Sequence, residues 1–209
     1  MSGSADTTRR RLSAKERRRH LLAAATAQFG AKGYDQASLR EIAAGAGVTT
    51  PVLYEHFPSK AELYVAIAWE LADSLLEQWS APIEGGPEEV FRTTVERIFS
   101  WIETHPDGAR IMFADLPSDE LVARNIEAVL ERARGAVAAL FDANEPARLP
   151  PGLGREQANE ALALLTMSAV NGLAAWWWHN PGVPKEVVVA LACEVLWGGL
   201  AKLTGEPER

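Results

Sequence analysis

A single cysteine, Cys193, stands in a chain of 209 residues. Neither an intramolecular disulfide nor a zinc cluster of cysteines can form within it, which fits a reducing compartment. Histidine is scarce too: His20, His56, His105 and His179 are the four, and no His-Glu-x-x-His pair occurs among them. Gly-x-Ser-x-Gly and the glycine-rich phosphate loop are both missing. These absences remove the most legible hydrolase, metalloprotease and nucleotide-binding chemistries, so no catalytic residue, metal or cofactor is expected. His105 precedes Pro106 and His179 precedes Asn180 at expected helix ends, where the dipole alone favours a histidine. Strand-like alternation is lacking as well, which points to an all-α fold.

Charge is present but unevenly divided. The chain carries a net −7, and 47% hydrophobic with 23% charged residues excludes bulk disorder. Residues 1–60 hold ten Lys/Arg against five Asp/Glu, whereas residues 61–209 hold eleven against twenty-three. A basic amino-terminal third on an acidic remainder is the asymmetry of a protein that meets a polyanion at one end. The Arg-rich segment 1–12 is expected to be a disordered basic arm. Arg17, Arg18 and Arg19 precede a seven-residue apolar run, too short for a secretory signal, and Gln28 and Lys32 follow at once. Leu22, Ala25, Thr26 and Phe29 recur there at helical spacing instead. A cytoplasmic location is expected.

Helix starts are unusually explicit. Ser13-x-x-Glu16, Ser38-x-x-Glu41 and Ser59-x-x-Glu62 each match the capping box, in which hydroxyl and carboxylate satisfy two orphan amides reciprocally. Gly33 can take a left-handed position that stops the first helix, with Tyr34 folding back over it. Further helices are expected over 39–44, 50–56, 59–80, 88–105, 110–116, 118–142 (capped by Ser118), 155–179 and 185–203. Their breaks fall at the Pro and Gly clusters around 82–87, 105–106, 144–154 and 180–184. About nine helices result: a three-helix unit over 13–60, and a larger helical unit over 61–209.

Residues 39–57, LREIAAGAGVTTPVLYEHF, meet the demands of a helix-turn-helix. Ala43 is the small residue where two helices cross, and Gly47 supplies the turn, where a positive φ is usually needed. Ile42, Ala46, Val48 and Leu53 fill the buried offsets, closed by Phe57. Such a unit leaves its second helix outward, with an amino end that can enter the major groove of DNA.

The stretch from Thr26 to Ala66, containing FGAKGYDQASLREIAAGAGVTTPVLYEHFPSKAELYVAI, resembles the amino-terminal domain of TetR-family transcriptional regulators. The resemblance implies a dimer that binds a palindromic double-stranded operator through these helices and a small-molecule inducer through the acidic remainder. It also implies roles for particular residues. Tyr54 matches a tyrosine that donates to a phosphate, and Lys60 a phosphate-contacting lysine at a helix amino end. Ser38 and Arg40 fall where the second helix meets the DNA backbone, and His56 matches a histidine beside the sugar-phosphate chain. Thr49, Thr50 and Pro51 open the recognition helix. In the family that helix often carries Lys or Arg two residues after the valine; Thr50 stands there in this chain. No residue from Val48 to Phe57 can make the bidentate guanine contact of an arginine. Any such contact must come from Arg40 or the basic arm. Pro51 is tolerable, because the first helical turn has no amide partner to lose.

Two apolar runs close the chain. Residues 161–184 carry no charge, a length that satisfies a membrane span. Thr166, Ser168, Asn171 and Gly172 dilute that run, Pro181 and Pro184 end it, and Glu194 interrupts the next one. A homodimer through residues 155–203 is expected rather than a membrane. Leu162, Leu165, Ala169, Leu173, Val188, Leu191, Val195 and Leu196 are its expected contacts. Aromatic and sulfur side chains on the middle helices suit an apolar or aromatic ligand. Trp101, Met112, Phe113, Met167 and Trp176 are its expected walls and Asn171 its polar anchor, with Glu103 and Asp115 as alternatives. The competing reading is a small-molecule-binding or catalytic helical protein whose helix-turn-helix is vestigial.

Overall fold

The computed structural model describes residues 13–80, 82–113, 117–143 and 152–204. Ser13 opens α1 (Ala14–Gln36) with a complete capping box: Glu16 N–H donates to Ser13 Oγ at 3.2 Å, and Ser13 N–H donates to the Glu16 carboxylate at 2.7 Å. Those bonds to Ser13 hold the Glu16 carboxyl below its ordinary pKa. Gly33 interrupts the helix at φ 75° and ψ 170°, a geometry that L side chains rarely adopt, and helix resumes to Gln36. Two short helices follow, α2 (Leu39–Gly45) and α3 (Thr50–His56), then α4 (Lys60–Ser80), α5 (Pro87–Thr104) and α6 (Pro106–Phe113). The last three are α7 (Glu120–Ala143), α8 (Arg155–Trp178) and α9 (Lys185–Thr204). Among the described residues the fold is all-α, with no strand.

Three local expectations need correction. Ser38 precedes α2 in extended conformation, but its side chain makes no capping bond. The sixth helix starts at Pro106 rather than near residue 110, because proline at a first helical turn loses no amide bond and Asp107 complements the dipole. Asp119 caps the seventh helix in place of Ser118, its Oδ1 accepting from Leu121 N–H at 2.9 Å and Val122 N–H at 3.2 Å. The expected arm over 1–12, and most of the loop over 144–154, lie outside the described residues.

Packing forms two apolar clusters with α4 passing through both. The first joins Leu21, Phe29, Ile42 and Leu53 of α1–α3 to Leu63 and Ile67 of α4, and continues to Ile111 of α6 and Val122 of α7. The second joins Leu75 of α4 to Phe99 and Trp101 of α5, Val170 of α8 and Val188 of α9. The first three helices thus share one core with the helices behind them. A displacement of α4, α6 or α7 is felt at α1 through direct contact. By length and composition α8 is long and apolar enough to cross a membrane; here it packs on α7 and α9.

Candidate nucleic-acid interface and ligand cavity

Gly47 makes the α2–α3 turn at φ 70°, and its N–H donates to Ala44 O at 3.0 Å while Val48 N–H reaches Ala43 O at 3.0 Å. Ile42, Ala43, Ala46, Leu53 and Phe57 are buried, and Val48 is packed against them. The angle between α2 and α3 is therefore locked from beneath, and α3 is left with a free outer face. On that face Pro51, Tyr54 and Glu55 are exposed at helical spacing, and Thr49 is exposed at the amino end. Thr50 and His56 are half-buried. Pro51 sits in the first turn of α3, as its missing amide demands. Tyr54 is 48% exposed and takes no part in the bundle core. Arg40 is exposed on α2, and Ser38 is half-buried at its start.

Lys60 is held more closely than its sequence position suggests. Its ammonium donates to Asp35 O at 3.0 Å and lies 4.9 Å from the centre of the Tyr34 ring. An ammonium has three donors, so two remain for an anion. Arg18 of α1 was missed as a neighbour of α3: its guanidinium stands 5.1 Å from the Phe57 ring centre. Its signal was the Arg17-Arg18-Arg19 run inside a capped helix. Tyr34 folds back beside Gly33 as its sequence position predicts, but its partner was missed. Its hydroxyl donates to Asp119 Oδ2 at 2.9 Å, across 85 residues of sequence, and burial followed by that bond pushes the phenol up to about 12. Asp119 is held below the usual carboxylate range, first by Val122 N–H and then by Tyr34.

Behind the first three helices, α4 to α9 enclose a cavity of about 140 Å³. Met112, Phe113, Met167 and Asn171 line it, together with Leu75, Phe91, Val129, Ala133, Phe141 and Trp197. Among the described residues every lining side chain is uncharged, and only Thr94, Thr166 and Asn171 are polar. Thr94 already donates to Val90 O at 2.7 Å; no partner for the Asn171 amide lies among the described residues. Two expected walls are elsewhere. Trp101 is 2% exposed, its Nε1–H donating to Ser74 Oγ at 3.1 Å and its ring stacked on His105, so it belongs to the core between α4 and α5. Trp176 is 45% exposed on the outer side of α8. One helix turn of three tryptophans must face three directions: Trp177 donates to Val183 O in the core, and Trp178 lies under the Arg110 guanidinium. Glu103 is exposed and paired with Lys185 at 2.9 Å, and Asp115 lies outside the described residues. Among the described residues no three His, Cys, Asp or Glu side chains gather to hold a metal.

The arrangement suits a protein that grips a polyanion with exposed helix ends and holds an apolar molecule behind them. Relatives agree on the first half. The family model of bacterial regulatory proteins of the tetR family matches residues 21–67, from α1 into α4. The HTH-type transcriptional activator FasR of Mycolicibacterium smegmatis is 31% identical over 194 residues, covering 91% of this chain and 86% of its own. The HTH-type transcriptional regulator EthR of the same organism is 28% identical, covering 86% and 84%. A solved TetR-like transcriptional regulator from Rhodococcus sp. RHA1 shares the fold with a TM-score of 0.72 at 21% identity, over 91% of this chain and 99% of its own. A match in the helix-turn-helix segment and a relative aligned along nearly the whole of both chains carry one conclusion: the protein belongs to the TetR family and is a helix-turn-helix transcriptional regulator, not an enzyme.

Proposed function

We propose that the protein represses transcription in the cytoplasm by occupying a palindromic operator as a homodimer, and that a small apolar or aromatic ligand releases it. Residues 13–60 act as the DNA-binding head and residues 61–209 as the ligand-binding and dimerising body. One observation carries this: the residues that set the α2–α3 angle are buried, while Thr49 at the amino end of α3, and Pro51 and Tyr54 on it, stand free. Thr49 and Thr50 read base edges, where threonine methyls suit thymine. Tyr54, His56, Lys60, Ser38 and Arg40 face the backbone. Ligand occupancy selects a separation of the two heads that no longer spans adjacent major grooves.

Selecting bound duplexes from random oligonucleotides tests the first part, and an inverted repeat is the expected product. On that duplex Lys60→Ala should weaken binding and lower the slope of log K against log salt by about one unit per bound lysine. Tyr54→Phe should weaken all sequences alike, and Thr49→Ala should change base preference. Unchanged affinity and slope in Lys60→Ala would end its assignment to phosphate. A second reading has its own support: FasR, the 31% identical relative, is named an activator. A reporter driven from the selected site separates the two, rising on deletion of the gene under repression and falling under activation.

Among the described residues that line the cavity there is no cation to neutralise an acid, and residues 61–209 are strongly acidic. Burying an unpaired charge there is costly. The neutral dye N-phenyl-1-naphthylamine should therefore bind at least about tenfold more tightly than its sulfonated analogue, the cost of an unpaired charge exceeding the ~1.4 kcal/mol that a factor of ten requires. Trp197, which lines the cavity, is the expected fluorescence donor. Asn171→Leu should preserve the fold and the dye site while weakening ligands that need the amide. Equal affinity for both dyes would contradict the apolar-ligand assignment.

A further inference from the structure

The Tyr34 hydroxyl joins two parts of the chain that local sequence keeps apart. Gly33 turns the chain at φ 75° so that Tyr34 folds back on the core. Its ring stacks on Phe29 with centroids 6.0 Å apart and meets the edge of Tyr64 at 5.1 Å. The hydroxyl then reaches Asp119 Oδ2, while Asp119 Oδ1 is occupied in capping α7. On the exposed side, Lys60 rests on the face of the same ring and donates to the carbonyl of the next residue, Asp35. Each oxygen of one carboxylate thus has a separate task, and residues 34–35 form the platform under a cation. Further along, α7 supplies Val129, Leu130 and Ala133 to the cavity wall.

We propose that Asp119 and Tyr34 are positioning residues for DNA binding, holding the platform that aims the Lys60 ammonium at a phosphate. This rests on the assignment of Lys60 to DNA made above. The carboxylate touches no DNA and acts through the phenol, and the phenol acts through the lysine. The link also ties a helix that walls the cavity to a cation on the DNA side. Electrostatics alone makes the opposite forecast for one variant. Removing the negative charge of Asp119 near a polyanion should tighten binding, whereas loss of the platform should weaken it.

The test uses the full-length protein and the duplex recovered by selection. Asp119→Ser keeps a hydroxyl to cap α7 but lacks the second oxygen; Tyr34→Phe keeps the ring and its stacking but lacks the hydroxyl. Each is expected to lower affinity about three- to tenfold, with a smaller salt slope and helix content unchanged. The double variant should be no weaker than either single one, and neither change should matter once Lys60 is alanine. Asp119→Asn, which can cap through its carbonyl and donate to the phenol oxygen, should restore most of the affinity. Wild-type or tighter binding by Asp119→Ser and Tyr34→Phe would overturn the proposal, as would equal losses with and without Lys60. If Lys60→Ala itself changes nothing, the assignment of Lys60 falls and the proposal with it. If Lys60→Ala weakens binding and Tyr34→Phe does not, only the positioning role falls.

Discussion

Leu191→Glu is expected to yield a monomer whose affinity for the operator is at least about a hundredfold below that of the parent protein, since two tethered heads gain that much from effective concentration. Side chains on α8 and α9 explain the size of the effect. Leu164, Leu165 and Trp176 on α8 and Val187, Leu191 and Val195 on α9 are all between 45% and 65% exposed. Val187, Leu191 and Val195 recur every four residues on α9, followed by exposed Gly198 and Gly199; on α8 exposed Ser168, Ala169 and Gly172 continue the four-residue spacing from Leu164 and Leu165 to Trp176. Small residues let helix backbones approach, and Glu194 alone interrupts the stripe between 187 and 199. A second copy covering this face would bury apolar area at roughly 25 cal/mol per Å², in an interface of the order of 1,600 Å². A glutamate at the centre would be desolvated without a partner. Without dimerisation each head binds one half-site alone, and half-sites lie about 34 Å apart on the duplex. Sedimentation and a gel shift give the two readouts. Ala169→Arg is the second variant should Leu191→Glu prove insoluble. A wild-type mass of one subunit at micromolar concentration, or a dimeric Leu191→Glu with full affinity, would refute the interface.

Not all eight apolar residues expected on that face are there. Val188 is 1% exposed and belongs to the core; Leu162 lines the cavity, and Leu173 and Leu196 pack on the second cluster. Helices that are apolar nearly all round carry little periodicity, so which side meets a second copy is decided by the helices packed on the other side. The same limit applies to tryptophan. An aromatic at helical spacing looks alike whether it faces a core, a cavity or the outer surface, and Trp101, Trp197 and Trp176 turn out to do one each. By contrast the helix-turn-helix was legible, because its determinants lie within 19 residues. Ala43, Gly47 and Leu53 act through i+3 and i+4 contacts and one positive φ. Two of the three capping signals were legible for the same reason, Ser13 forming the full box and Ser59 Oγ accepting from Glu62 N–H at 3.0 Å; Ser38 shows that a matching pattern does not oblige the side chain to bond. Tyr34 and Asp119 were illegible as a pair. Nothing local in either segment records a partner 85 residues away.

Gly30→Val should destabilise the protein by about 2–3 kcal/mol, near the upper end for forcing extra carbons into a packed site. A Cβ at Gly30 would stand 2.7 Å from Asp107 Cβ, 2.8 Å from its Cα and 2.9 Å from its carbonyl oxygen. Two of those atoms are backbone, so no rotamer change relieves the clash, and α6 as a whole must retreat from α1. Its retreat is blocked. On α6 itself, a Cβ at Gly108 would meet Leu71 Cδ2 at 2.7 Å and the Trp101 ring at 3.5 Å, so the helix is pinched between α1 and the α4–α5 side. Helix propensity runs slightly the other way, since most residues are better helix formers than glycine by under about 1 kcal/mol; the clash is larger. For a chain of this size each kcal/mol moves Tm by roughly 2–4 °C, so a fall of about 5–10 °C is expected. Gly135→Ala is the control. It lies within α7 with nothing inside 4 Å of its virtual Cβ, and it should gain about 0.5–1 kcal/mol. Both melts are to be run at one protein concentration, because a dimer's Tm depends on it. Since α6 ends in Met112 and Phe113 at the cavity, Gly30→Val should also weaken N-phenyl-1-naphthylamine binding, which Gly135→Ala should leave alone. A Gly30→Val protein that melts with the wild type or above it, while keeping full dye affinity, would show that α1 and α6 are not held at this distance in solution.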